Sequence, residues 1–528
     1  MGIKRYFATK DTTITNAFKV DLSTRATASN MGQSDVMEVF SIYGQDFFSS
    51  SANPRTYTSE LSRAMIQFPV SGSELGDIYG DRLAGAIPAS GSVRFYLRLY
   101  NASHGQTVPK NAIFNINAVS ASWTEGRGLD METYLDKDAC NWMERSSSAY
   151  WGLVGGDHHT GTYTAGQTLP TYSTELTGGY DDIDIDVTSM VEEWIAGRES
   201  NARQNYGFAI YLDSSQEAYY SSSLGAGLAD GPKLDNLNGA RESYYTKKFF
   251  ARGTEYFFKR PALEARWDSS KKDNRGNFYF SSSLAPAADN LNSLYLYNYS
   301  RGQLQDIGGN NSTAPVLKLY SGTTSAPNNI QLTLKHKTTN TNITSVTATR
   351  VEKGIYSATF AITSSTDTDY LWDVWEVGGK QVHTGTVIIP KDYGSSNYNP
   401  YANCVTKITN LKSEYSRDEV ARLRLFVREK DWSPNVYTVA NTDIENKIIE
   451  NAYYKVFRLY DNLNVINFGT SSVTEHTRLS HDVSGNYFDL DMSLLEKDKM
   501  YGIKFVFKVN DEYQEQSEVF KFRIAHEV

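Results

Sequence analysis

Cysteine is almost missing from this chain of 528 residues: Cys140 and Cys404 stand far apart and in different proposed domains. Two such residues exclude a disulfide framework, so the fold must be held by packed cores. Charge is sparse too. Asp, Glu, Lys and Arg make up 21% of the residues, the net charge is −9, and there is no basic tail or Lys/Arg cluster. That balance argues against DNA or RNA as a partner, because phosphate backbones are gripped by clustered cations. No apolar run approaches the roughly 18 residues needed to cross a bilayer, so membrane insertion is not expected. The opening MGIKRYFATKD lacks the apolar stretch of a signal peptide, and Tyr6 stands where myristoylation wants Ser or Thr. Nucleophile-elbow, P-loop, dinucleotide and Cys/His zinc motifs are absent as well. No cofactor, no metal and no catalytic activity are therefore expected.

What remains is a chain rich in Tyr (36 residues), Ser, Thr, Asn and Gly, with 40% hydrophobic residues. This mix favours strands and turns over helices and suffices for several cores. The length suits about three or four domains. Alternation of apolar and polar residues is the dominant pattern. It is clear in Ser62 to Phe68 and in the VRFYLRLY run from Val93 to Tyr100, and it continues from Ala112 to Trp123. The expected fold is all-β and multidomain, a large N-terminal jelly-roll-like sandwich followed by two smaller Ig-like sandwiches. The boundaries read as 1–268 for the first sandwich, 269–312 for a structured connector packed on it, 313–391 for an Ig-like sandwich and 392–528 for a C-terminal sandwich. One short helix is expected at 188–196. Met190, Val191 and Trp194 share a face there, Asp186 or Thr188 can cap the first turn, and Gly197 suits the last.

Three motifs in order carry a family resemblance. They are Trp123-Thr124-Glu125 at a strand end, Asp186-Val187-Thr188 followed by Val191 and Trp194, and Asn205-Tyr206-Gly207-Phe208 at a strand start. With Asp11 and Ile14, Asn30 and Gly32, Ala64, Ile66 and Phe68, and Pro261, they resemble the DNRLRE-type β-sandwich family. The resemblance implies a carbohydrate-binding or surface-adhesion module, with these residues serving as turns, caps and core tryptophans. Further on, YSRDEVARLRLFVREKDW and SGNYFDLDMSLLE resemble tail-region structural proteins of large marine phages. A non-catalytic virion protein of the tail, baseplate or neck is the function this implies, made in the host cytoplasm and placed on the particle. Other virion proteins and copies of itself would be its partners. A carbohydrate-binding adhesin recognising a host-surface glycan through the first domain is the alternative.

The candidate contact residues are Trp142, Tyr150, Trp151 and Tyr163, in a Gly-, Ser- and Thr-rich insertion over 126–180. Aromatics on a long loop can stack on sugar rings or anchor a protein interface, or they can simply cover the end of a sandwich. Asp182, Asp184, Asp186 and Glu193 have the spacing of a calcium loop. Val187 occupies the position that needs Gly, and Ile183, Ile185 and Val187 alternate as a strand, so a solvated acidic face is the plainer reading. His158 and His159 are adjacent in a loop and diverge too much to pair on a metal.

Overall fold

The computed structural model describes residues 2–46, 56–133, 135–136, 138–159, 169–197, 204–221, 234–309, 313–363, 368–391, 403–430, 446–471, 473–509 and 511–525. Strands account for 44% of the chain and helix for 7%, which makes the protein all-β. Contacts divide it into two compact units, Ile3–Trp267 and a second built from Asp268–Val528. Among the described residues no helix is long and apolar enough to cross a membrane.

The first unit runs β1 (Ile3–Phe7), β2 (Lys10–Thr15), β3 (Val36–Asp46), β4 (Thr56–Gln67), α1 (Ile78–Leu83), β5 (Arg94–Leu99), β6 (Ala112–Ala118), β7 (Glu144–Ser146), β8 (Ala149–Tyr150), β9 (Tyr172–Leu176), β10 (Ile183–Asp186), α2 (Thr188–Gly197), β11 (Phe208–Leu212), β12 (Tyr244–Phe250) and β13 (Ala262–Arg266). A four-stranded sheet has the order β1-β13-β5-β10. A seven-stranded sheet has the order β12-β3-β4-β11-β6-β9, with β2 paired to β4. Strand alternation sends one set of side chains between the sheets. Phe95, Leu97 and Leu99 come from one side, Phe114, Ile116, Phe208 and Ile210 from the other, and together they form a shared core. This is a β-sandwich.

α2 closes the end of that core. Met190, Val191 and Trp194 are buried in it, and the Trp194 ring lies 4.8 Å from that of Phe208. Its first turn is held by Asp186, whose carboxylate accepts the Thr188 N–H at 2.9 Å. A second helix, α1, was not expected. At six residues it is too short to show a helical period. It is fixed by tertiary contacts instead, with Asp81 accepting from Tyr6 Oη and pairing with Lys4.

The residues that carry the family resemblance act as stitches. The Asn30 amide donates to the carbonyls of Glu125 and Cys140 and accepts from the N–H groups of Gly32 and Gly128. Glu125 accepts the Asp11 N–H and pairs with Arg252. Gly207 has φ 92°, and a Cβ there would lie 2.2 Å from the Ile66 carbonyl oxygen, so only glycine fits.

The second unit also consists of stacked sheets. Val316–Gly322 and Leu371–Val377 are central to a five-stranded sheet whose edge strands are Pro327–Gln331 and Lys380–Thr384. Residues 269–309, within the 269–312 stretch read from the sequence as a connector, group with this unit. Their strand Asn292–Tyr297 pairs along its length with Ile355–Phe360, and Phe278, Leu294 and Leu296 enter the core with Trp375. A six-residue alternation inside an Asn- and Ser-rich stretch does not reveal its partner. Toward the C-terminus, a four-stranded sheet around Val420–Glu429 and Gly485–Asp491 faces a six-stranded one around Ala452–Arg458 and Met500–Val509. Tyr454, Phe488 and Phe505 pack between them, with centroids 4.4 and 5.8 Å apart.

Candidate functional site

The outer face of the seven-stranded sheet is the unusual surface of the first unit. The same alternation that points Ala64, Ile66, Phe208 and Ile210 inward points Arg63, Met65, Ala209 and Tyr211 outward. On an exposed sheet these would meet solvent. Here the segment around 120–159 folds over them and makes a second core of Ile14, Leu61, Met65, Trp123, Cys140, Trp142, Trp151 and Tyr211.

This cover decides the fate of the expected contact residues. Trp142 is 0% exposed and Trp151 is 5% exposed. The Trp151 indole donates to the Asn141 carbonyl at 2.9 Å, and Gly155 packs so tightly on Trp142 that a Cβ would lie 2.8 Å from the ring. Neither ring presents a face to a sugar or a partner, so their placement as contact residues is corrected to a packing role. Tyr150, on the β7–β8 hairpin, is 64% exposed and keeps a free surface. Tyr163 lies outside the described residues.

Beside this cover the outer sheet face stays open, and a cleft of about 400 Å³ forms there. Its floor comes from three adjacent strands. β11 pairs Tyr211 with Asn115 and Ala209 with Asn117 on β6, and the β11–β4 register brings Arg63 to the other side of Tyr211. The Asn117 amide donates to Tyr211 Oη at 2.7 Å, while Asn117 Oδ1 is buried without a hydrogen-bond partner. Asn115 donates to Asp213 at 3.0 Å. Ser173 of β9, Ser214 and His158 complete the wall.

Charge in the cleft is paired. Arg63 Nε and Nη2 donate to the two carboxylate oxygens of Glu217 at 2.9 and 2.8 Å, and Nη1 donates to the Gly155 carbonyl at 3.1 Å. Both partners are buried, and the fork-on-fork geometry fixes the loop that carries Glu217 to the sheet. The guanidinium also lies 5.0 Å from the Tyr211 ring, and the His158 ring lies 4.4 Å from the same ring. Burial, with Arg63 nearby, pushes the His158 pKa down to about 4, so the ring is neutral at ordinary pH. Its Nδ1 faces the Gly156 carbonyl at 3.1 Å, which places the proton on that nitrogen. Burial pushes Tyr211 up to about 12, so it stays a phenol.

The other sequence candidates are spread out. The Asp182 carboxylate accepts the Asn101 N–H, Asp184 pairs with Arg266, and Asp186 caps α2. Among the described residues, no three His, Cys, Asp or Glu side chains are grouped to hold a metal. Apart from His158, weighed in the sequence only as a metal ligand, the cleft residues were not singled out there. Asn115 and Asn117 inside AIFNINA, and Arg63 inside an otherwise apolar strand, were the available signal.

No protein family profile matches the chain, and no curated protein matches it. Among solved structures it overlaps trypsin-activated alpha-2-macroglobulin from Escherichia coli at 9% identity and TM-score 0.14, over 88% of this chain and 24% of that one. The native conformation of the E. coli protein gives 8% identity and TM-score 0.14, over 94% and 20%. A Salmonella alpha-2-macroglobulin mutant gives 8% and 0.14, over 99% and 26%. The chain thus spans about a quarter of the length of these proteins or less, and overlaps this weak carry no argument about fold or function.

Proposed function

We propose that the chain is a non-catalytic component of a tailed-phage particle, and that its Ile3–Trp267 unit holds a surface saccharide in the cleft above Asn115, Asn117 and Tyr211. The observation that carries the saccharide reading is the cleft itself. Its volume of about 400 Å³ falls in the range of small-molecule sites, about 300–1,000 Å³. Amide and hydroxyl groups line it, the groups that exchange hydrogen bonds with sugar hydroxyls. Glu217 is clasped by Arg63 and so is poorly placed to act as an acid or base, which favours binding over hydrolysis.

The phage reading is supported by the sequence resemblance and by sandwiches arranged in series. Exposed edge strands in the second unit, Pro327–Gln331 and Lys380–Thr384, offer unpaired backbone for other virion proteins or further copies of the chain. Two measurements test the proposal. Negative-stain images of purified particles, labelled with an antibody against the chain, should carry the label at a fixed position. Titration of the full chain with host-envelope polysaccharide should show saturable heat. Unlabelled particles sink the virion reading, and a flat titration with neutral and acidic polysaccharides alike sinks the saccharide reading.

A further inference from the structure

We infer that the cleft selects a neutral, hydroxyl-rich sugar over the uronic acid of the same configuration. This rests on the saccharide reading above and adds the chemical class of the ligand. A uronate replaces a hydroxymethyl group by a carboxylate, which only accepts hydrogen bonds and carries charge. It needs an uncommitted cation. The cation in the cleft is Arg63, and its charge is matched by the Glu217 carboxylate held in two hydrogen bonds. A third donor is spent on the Gly155 carbonyl, and the guanidinium lies against the rings of Tyr211 and Trp142. A ligand carboxylate would therefore meet the Glu217 carboxylate and a guanidinium already engaged by it. Like charges that meet in a partly desolvated site repel strongly.

A sugar hydroxyl, by contrast, both donates and accepts, and the cleft offers both. Tyr211 Oη already accepts from Asn117, so its own proton is available to a ligand oxygen. The Ser173 and Ser214 hydroxyls in the lining both donate and accept, so a ligand hydroxyl finds acceptors as well as a donor. His158 is neutral and adds no cation.

The test titrates the full-length chain with gluco-, manno- and galacto-oligosaccharides and with their glucuronate, mannuronate and galacturonate counterparts of equal length. At least one neutral series should bind about tenfold or more tightly than its uronate counterpart, the size of a modest charge penalty. Tyr211→Phe and Asn117→Ala should each weaken that binding by about five- to tenfold, the effect of one lost hydrogen bond, while both variants keep a cooperative melting transition. A uronate that binds as tightly as its neutral counterpart overturns the inference and leaves the saccharide reading standing. Neutral binding untouched by both variants places the site elsewhere and overturns it too. If neither series binds, the inference and the saccharide reading fall together.

Discussion

Two neighbouring aromatics of the insertion, Tyr150 and Trp151, differ sharply in burial. Trp151 is buried with its indole N–H satisfied, and Tyr150, its neighbour, projects outward. Trp151→Ala should therefore lower stability by about 3–5 kcal/mol, through lost burial and the cavity left behind. Tyr150→Ala should stay within about 0.5 kcal/mol of the parent. Urea denaturation of the full chain checks both, and a Trp151→Ala midpoint equal to the parent's would mean the cover over the sheet is not packed as described. The two residues look alike in the sequence because the insertion has no periodic pattern. Burial there is set by Gly155 closing on Trp142 and by backbone carbonyls that meet the indoles, and neither leaves a mark on residue type.

The strands and α2 were the legible elements. Alternation in Val93 to Tyr100 and Ala112 to Ala118 marks the inward residues directly, and the apolar face of α2 follows from Met190, Val191 and Trp194 at helical spacing. The cleft was not legible, because it depends on register. The sequence places Arg63, Asn117 and Tyr211 on the outer faces of their strands. That β11 lies between β4 and β6, and so sets these side chains next to one another, is a property of the sheet order. α2 also allows its two supports to be ranked. Asp186→Ala removes a cap and should cost about 1 kcal/mol. Trp194→Ala removes a buried ring stacked near Phe208 and should cost about 3–5 kcal/mol. Denaturant midpoints in which the cap variant falls as far as the tryptophan variant would show that packing does not hold this helix.

The whole molecule carries an acid-sensitive histidine in each compact unit. Burial depresses the pKa of His158 in the first and of His481 in the second from 6.5 to about 4, with Arg63 and Lys272 adding to the effect and Asp157 and Asp482 opposing it. Both ring nitrogens of His481 are buried without partners. Because each folded value lies below the unfolded one, the unfolded chain binds more protons between them. The stability contributed is complete above about pH 6.5 and is lost as pH falls towards 4. Asp11 in the first unit and Asp273 in the second, raised by burial to about 7 and about 6, titrate the other way across the same window, so the histidine contribution is read as a difference between parent and variant. The parent should lose stability relative to His158→Gln as pH falls from 6.5 towards 4, in the first unit alone, and a parent-to-variant midpoint difference that does not change with pH would refute the assignment.

The pairing of β1 with β13 also sets the order of events during synthesis. Ile3 lies opposite Arg266, and Arg5 donates to Glu264, 259 positions further along the chain. At ribosomal rates of about 5–20 residues per second, the leading strand emerges roughly 13–50 s before its partner exists. The four-stranded sheet therefore cannot close while the nascent chain is shorter than this unit. Until then β1 lacks the strand it pairs with in the folded unit.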